Sequence, residues 1–562
     1  MKRIILALML LATVFCVQAQ SYYVCNSNGS AVEIPISDNK EITFDPEQKL
    51  VQFNNSGNLC HSFATAGVDS IVAIQPNSSL LDYSTDFDVA FDEADANDYY
   101  EKDEVIITDE LKDESGDFHE NFTYESTVII TFSESGVVYT PSSLQDVTIT
   151  KENNTHIIIN STKGKMRYQI KGTCSNGSIK IYSTKKFMIQ MNNLNLTNPN
   201  GPAINIQSGK TVYFSIGKNT TNSLCDGAVY ASPSKAGEDQ KGTLFSEGQL
   251  IFSGSGTLNV KSLGGHGICS DDYIRIREGN INITEAAKDG FNTNDLFRVG
   301  RTKNSSPKIT VNANGDGIDC GKGYVLIEAG ELTFNTGGEA IKVQYEDVPA
   351  DPSITPNATI DGGFIKICTT GEKASAIKTT GNFIMNNGII QAEVKGKGSK
   401  ILNCDGAVTI KGGKFSGIAE GAVHLVADSD TTTAGGIKSF GNVDIKGGNV
   451  AIKCTGEGSK AINCDSNVII DDAEVTLLSI GENYKELADD KKSRAITCAD
   501  YTQKGGNVRL SAYDKAVSAT SVTLSGGTLH AISSDDTNVT TVDIKQSAGW
   551  LMTKGKDKEH TL

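Results

Sequence analysis

A short pattern returns along this chain at spacings of 21 to 36 residues, and that return limits the fold more than any other feature. The turns begin GICSDD at 267, GFNTND at 290, GIDCGK at 317, AIKVQ at 340, AIKTTG at 376, ILNCDG at 401, GIKSFG at 436, AINCDS at 461, AITCAD at 495 and AVSATS at 516. An apolar-x-apolar pair and a Gly turn follow, as in Ile274/Ile276, Val325/Ile327, Val408/Ile410 and Val468/Ile470. A third strand closes each turn, as in GNINITEA, GELTFNTG and GGNVAIKCT. Internal repeats of this length specify a solenoid. Three short alternating strands per turn, with Gly corners and no helical stripe between them, predict an all-β chain folded as a right-handed parallel β-helix. The period varies because corner loops swell at 344–357, 418–435 and 480–494.

The register accounts for most of the cysteines. Alternation turns the second and fourth residues of AIxC inward, so Cys320, Cys404, Cys464 and Cys498 share one column with Val343, Ser439 and Ala519. Side chains stacked in a parallel ladder do not aim sulfur at sulfur, so buried thiols are expected there. Cys25 and Cys60 lie outside the repeat and are close enough in sequence style to pair or to stay reduced.

Upstream of the coils the chain divides in three. Residues 1–19 read as a signal peptide, with Lys2 and Arg3, an apolar run from Ile4 to Phe15 and cleavage between Ala19 and Gln20. That implies a secreted, periplasmic or cell-surface protein, and no stretch is apolar enough to span a bilayer. Residues 20–75 form a small β module that precedes the helix and resembles N-terminal modules of exported Bacteroidetes proteins. Residues 76–125 are dense in Asp and Glu and read as a solvated linker with one or two edge strands. Residues 126–562 are the β-helix. The formal charge of −17 becomes −19 once Lys2 and Arg3 are removed. Such an acidic surface argues against nucleic acid as a partner and suits cations or neutral glycans. A monomer is expected.

The acidic residues of the repeat fall in columns. Asp289 and Asp316 occupy one ridge, one coil apart, where like charges about 5 Å from each other repel by about 3 kcal/mol at an effective dielectric of about 20. Asp319 stacks outward on Asn292 and Cys269, and Asp271, Asp272, Asn294 and Asp295 sit at the adjoining corner. With no Lys or Arg expected at the centre, Asp289, Asp316, Asp319, Asn292, Asp271, Asp272 and Asp295 form a candidate Ca²⁺ site of hard oxygen donors. Tyr273 and Tyr324 share an outward position two coils apart, with Leu296 between, and border that patch. Together with Arg298 they are the candidate carbohydrate contacts. Basic residues in the same coils (Arg275, Arg277, Arg298, Lys342) would also suit a lyase that abstracts a proton beside a uronate carboxylate. No catalytic constellation stands out.

The segments TNSLCDGAVY, KGTLFSEGQLIFSGSGTLNVKSLGGHGICSDDYIRI, EAAKDGFNTND and NGDGIDCG, with MNNLNLTNPNGPAINI upstream, resemble the β-helical carbohydrate-binding domain family first recognised in a cellulosome-forming clostridium. The resemblance covers about residues 125–345. It implies a secreted parallel β-helix that binds calcium and plant-type polysaccharides such as cellulose and polygalacturonate, without established catalysis. The family's Asp-Gly-Ile aspartates fall on Asp289 and Asp316, and its Thr-Asp-Gly aspartate on Asp226; His266 stands where a further Asp is usual. The reading is therefore a calcium-dependent polysaccharide-binding protein, with a pectate-like lyase or a surface adhesin as alternatives.

Overall fold

The computed structural model of the chain describes residues 21–26, 31–38, 41–55, 58–72, 80–81, 88–91, 115–300, 306–345, 351–426, 430–485 and 490–556. The leader expected at 1–19 lies outside them. From residue 156 onward the coil strands stack into parallel ladders that repeat once per coil. Each coil contributes one strand to each of three faces. On the first face lie His266–Ser270, Phe291–Thr293, Ile318–Cys320 and Ile341–Val343. Tyr273–Ile276, Leu296–Val299 and Tyr324–Ile327 lie on the second. The third carries Asn280–Ala286, Lys308–Ala313, Glu331–Thr336 and Phe364–Thr369. This is the predicted parallel β-helix.

Alternation fills the interior with Ile, Val, Leu and Phe, so Ile268, Phe291, Ile318 and Ile341 form one wholly buried row and Ile274, Phe297 and Val325 another. The cysteine column is as read: Cys320 pairs in register with Val343, and Cys404 with Ser439, which pairs with Cys464. Burial pushes the Cys320 thiol up to about 12 and the Cys404 thiol up to about 11, so these sulfurs are inert filler. Cys25 and Cys60 are thiols, not a disulfide.

The Asp-Gly-Ile turn has a steric cause. A Cβ on Gly317 would sit 2.4 Å from the Ala340 carbonyl oxygen of the next coil and 2.6 Å from the Phe334 ring. At Gly290 it would meet the Val311 side chain at 2.3 Å. Coils pack too closely at this corner for a side chain.

Both ends of the helix are closed. At the start, Ser126–Ser133 hairpins with Gly136–Thr140 and Val147–Lys151 with His156–Ser161. The module of residues 21–72, which precedes the helix in sequence, closes its far end. Its strand Asn58–Ala64 pairs antiparallel with Trp550–Lys554, matching His61 to Met552 and Phe63 to Trp550. Val24, Val32, Ile34, Phe53, Phe63 and Met552 form a separate small core there. The acidic segment is only partly a linker: Asp88 binds Lys453, and residues 115–122 lie against the second face.

Candidate functional site

The corner column of the first face is a staircase of carboxylates, each bonded to the next coil's main chain. Asp289 Oδ1 accepts the Asp316 N–H at 2.8 Å, and Asp316 Oδ1 accepts the Glu339 N–H at 2.8 Å. His266 holds the same step one coil earlier, its Nδ1 lying 3.4 Å from the Asp289 nitrogen and 3.0 Å from Asp289 Oδ2. The shorter contact is to the carboxylate, so Nδ1–H donates to Asp289 Oδ2 and His266 holds the next coil's aspartate by its side chain. The column therefore satisfies buried backbone donors that the ladder leaves over.

The centre of the patch is not free of cations, contrary to the sequence expectation. Lys342 Nζ lies 3.3 Å from Asp316 Oδ2 and 3.4 Å from Asp319 Oδ1. The ladder places Lys342 directly above Asp319, and Asp319 above Asn292. Asn292 Nδ2 reaches Asp319 Oδ2 at 3.5 Å. Burial raises the Asp289 carboxyl, but bonds from His266 and the Asp316 N–H outweigh it and hold the group below its ordinary range. Asp316 is pushed up to about 7 by burial, reinforced by Glu339 and Asp289 and opposed by Lys342. Asp319 is also raised, chiefly by burial.

The Asp316 shift has a measurable consequence. Its folded-state pKa lies above the ordinary carboxylate value, so the folded protein holds the proton more tightly than the unfolded chain. The stability this confers is full below the unfolded value, near pH 4, and is lost as pH rises through about 7. Asp316→Asn keeps the Oδ1 acceptor and carries no charge. Its thermal midpoint in chelator is expected to match the wild type at pH 4 and to exceed it at pH 8. A lower midpoint at pH 8 would show that the Lys342 pair dominates.

At the corner between the first and second faces the acids gather differently. Among the described residues, one trio has carboxylate oxygens within 4.8 Å of one another: Asp239, Glu247 and Asp271. Lys241 Nζ lies 2.6 Å from Asp271 and 2.8 Å from Asp239. Burial, with Asp271 and Asp239, raises the Glu247 carboxyl. Asp272 is raised by burial and by the neighbouring Asp295, and it accepts from Gln249 Nε2 at 2.8 Å. Asn294 Nδ2 donates to the Asp271 carbonyl at 3.0 Å. Sequence reasoning named Asp271, Asp272 and Asp295 but missed Asp239 and Glu247. Asp239 lies near the end of a long excursion, 226–241, and sequence alone gives no register for where such a loop returns.

These placements test the donors against calcium. The ridge of Asp289, Asp316, Asp319 and Asn292 does not fit: two oxygens are committed to N–H groups, and an ammonium stands at the centre. At the corner, the Asp239, Glu247 and Asp271 trio has the donor chemistry of a hard-cation site, and Asp272 with Asp295 forms a separate acidic pair. The trio's ammonium, Lys241, is 37 % exposed and lies among these oxygens, so a bound ion would have to displace it.

The second face carries the sugar-contact candidates in the expected row. Tyr273 pairs with Leu296, and Leu296 with Tyr324. The Tyr273 hydroxyl is engaged by Asp117 Oδ1 at 2.5 Å. Arg298 differs from the expectation. It does point outward, yet it is 1 % exposed, and its Nε and Nη2 donate to Glu328 at 2.8 and 2.9 Å. Sealed and bidentate, it is placed to hold Glu328 rather than to touch a glycan.

With this geometry described, likeness to known proteins can be stated. The family of carbohydrate-binding domain-containing proteins matches residues 145–422 and 416–537. A carbohydrate-binding domain-containing protein of Acetivibrio thermocellus is 25% identical over 118 residues, 21% of this chain. The match spans 41% of that relative's length. A solved polysaccharide lyase-like protein from C. thermocellum, a gadolinium derivative, is 20% identical, with a TM-score of 0.36, covering 50% of this chain and 96% of its own.

Proposed function

Because the chain belongs to the family of carbohydrate-binding domain-containing proteins, we propose that it is an exported protein that binds polysaccharide without cleaving it. The observation that carries this reading is the Tyr273–Leu296–Tyr324 row beside the Asp272/Asp295 corner. The two tyrosines are two coils apart, about 10 Å, close to the length of a disaccharide unit. A phenol ring offers a flat apolar face and a hydroxyl, which suits a sugar ring with its axial C–H groups and its hydroxyls. Binding without cleavage is supported by the state of Arg298, which is sealed against Glu328 and so is not placed as a base.

Calcium belongs to the same proposal, at the corner and not on the ridge. The ion would be held by Asp271 with Asp239 and Glu247, beside the Asp272 and Asp295 pair, and would bridge the acidic corner to sugar oxygens. Lys241 competes for the position, so its removal strengthens the site.

Affinity electrophoresis on gels containing polygalacturonate, a soluble cellulose derivative or a neutral glucan, with and without chelator, tests the reading. Retardation is expected on at least one glycan, and Tyr324→Ala is expected to weaken it about tenfold, roughly the worth of one aromatic contact. No retardation on any glycan would overturn glycan binding. Absorbance of an unsaturated product from polygalacturonate would overturn the non-catalytic part. Calcium is expected to raise the thermal midpoint of the wild type but not of Asp271→Asn; an equal response would remove calcium from this corner.

A further inference from the structure

The outward column of the second face is buried although it points away from the core. Met188, Tyr213, Ile251 and Arg275 follow one another in register, and none is more than 5 % exposed. The segment 115–122 lies over this column. It does so without joining the sheet: it forms two single turns, Ser115–Asp117 and His119–Asn121, and docks mainly through side chains.

Each anchor of the segment resembles a piece of an acidic sugar. The Asp117 carboxylate is gripped at both oxygens, Oδ1 by the Tyr273 hydroxyl at 2.5 Å and Oδ2 by Arg275 Nη1 at 2.5 Å. A hydroxyl and a guanidinium converging on two oxygens of one group is a carboxylate-recognition geometry. The Phe122 ring lies flat on Tyr213, 4.8 Å between centroids at 26°. That is where a sugar ring would stack. The Phe118 ring covers the Arg277 guanidinium at 4.2 Å, yet Phe118 itself is only half-buried. The Tyr213 hydroxyl donates to the Gly116 carbonyl at 2.5 Å, as it could to a sugar oxygen.

We propose that the Tyr213, Tyr273, Arg275 and Arg277 face is a binding site for an anionic, uronate-type polysaccharide, and that residues 115–122 occupy it as a tethered, displaceable stand-in. The proposal rests on the glycan-binding reading and adds to it the place of the site and its regulation by residues 115–122. A uronate chain supplies both parts at once, a carboxylate for Arg275 and Tyr273 and a ring face for Tyr213. A neutral glucan supplies only the ring. Because the segment is part of the same chain, it competes at high effective concentration, and apparent affinity falls by the fraction of time the face is open.

The full chain is compared with Asp117→Ala/Phe118→Ala, and with the milder Asp117→Asn should the double variant fold poorly. The probes are polygalacturonate and a neutral glucan in affinity gels. Hydrogen exchange over 115–122 is followed with and without polygalacturonate. The expected result is tighter retention of the variants on polygalacturonate, about tenfold if the segment is docked nine-tenths of the time, with weaker retention throughout on the neutral glucan, which can use only the ring. In the wild type, polygalacturonate should speed exchange across 115–122. Equal affinity of variant and wild type with 115–122 still protected would overturn the inference and leave glycan binding intact. Binding of the neutral glucan alone, in every variant, would do the same. No binding by wild type or variant to either glycan would overturn both.

Discussion

Replacing Glu328 by Ala is expected to destabilise the middle coils by about 3–5 kcal/mol, the range for stranding one partner of a buried ion pair. Glu328 and Arg298 have side chains 0 and 1 % exposed and share two parallel hydrogen bonds. Without the carboxylate the guanidinium stays inside and loses both of these bonds. Asp361, at the next step of the same corner, is 2 % exposed, and burial raises its carboxyl. Its Oδ1 accepts from Asn386 Nδ2 at 2.6 Å, and its charge acts on Arg298, so it offsets a part of the loss. Urea unfolding should show the loss as a lower first midpoint, because a solenoid can unfold by coils. A volume-matched apolar pair, Arg298→Met with Glu328→Leu, should recover most of it, since the desolvation cost goes with the charges. A loss below about 1 kcal/mol in Glu328→Ala would mean that water reaches Arg298.

Arg298 also marks the limit of what the sequence discloses. Alternation placed it correctly on the outside of the coil, in register with Arg275 and Leu326. From that, surface exposure was a short step, and it failed. Period-two patterning reports which way a side chain points, not what lies over it. From residue 267 the coil register was legible, down to the Cys320–Val343 and Tyr273–Leu296–Tyr324 rows, because repeats superimpose and each error would recur in every coil. Non-repeating segments have no such redundancy. Lys342 illustrates the middle case: its column was readable, but the reach of its side chain back to Asp316 and Asp319 was not. The docking of 115–122 left only a faint trace, two Phe residues at 118 and 122 inside an acidic run where a solvated linker has no use for them.

Phe63→Ala is expected to undo the clasp at the far end of the helix and to make the chain self-associate. Phe63 is fully buried and meets the Trp550 ring edge-on at 5.2 Å and the Phe53 ring at 5.8 Å. Removing such a ring costs about 3–5 kcal/mol. That cost falls on a small core, residues of 21–72 packed with Met552, which has little else to hold it. What it uncovers is the last rung of the third-face ladder. Trp550–Lys554 pairs on one side with Thr528–Ser533 and on the other with Asn58–Ala64. Take away the second partner and a row of backbone N–H and C=O groups faces solvent, with Leu551 beneath it. A parallel β-helix grows by adding strands at such an edge, and a second copy carries the same edge, so copies meet end to end. The Thr553 hydroxyl, which now donates to the Leu59 carbonyl at 2.8 Å, loses its acceptor as well. Light scattering after gel filtration should show concentration-dependent oligomers for Phe63→Ala. Hydrogen exchange should accelerate at 550–554 and stay unchanged in the coils around 318–343. Addition of a charged residue at the bared edge, Leu551→Lys in the Phe63→Ala background, should suppress this self-association by the means natural edge strands use. A monomeric Phe63→Ala with protected 550–554 would show that the hydrogen-bonded pairing of His61 and Met552 suffices to hold the clasp, and that the module is docked by its ladder and not by its core.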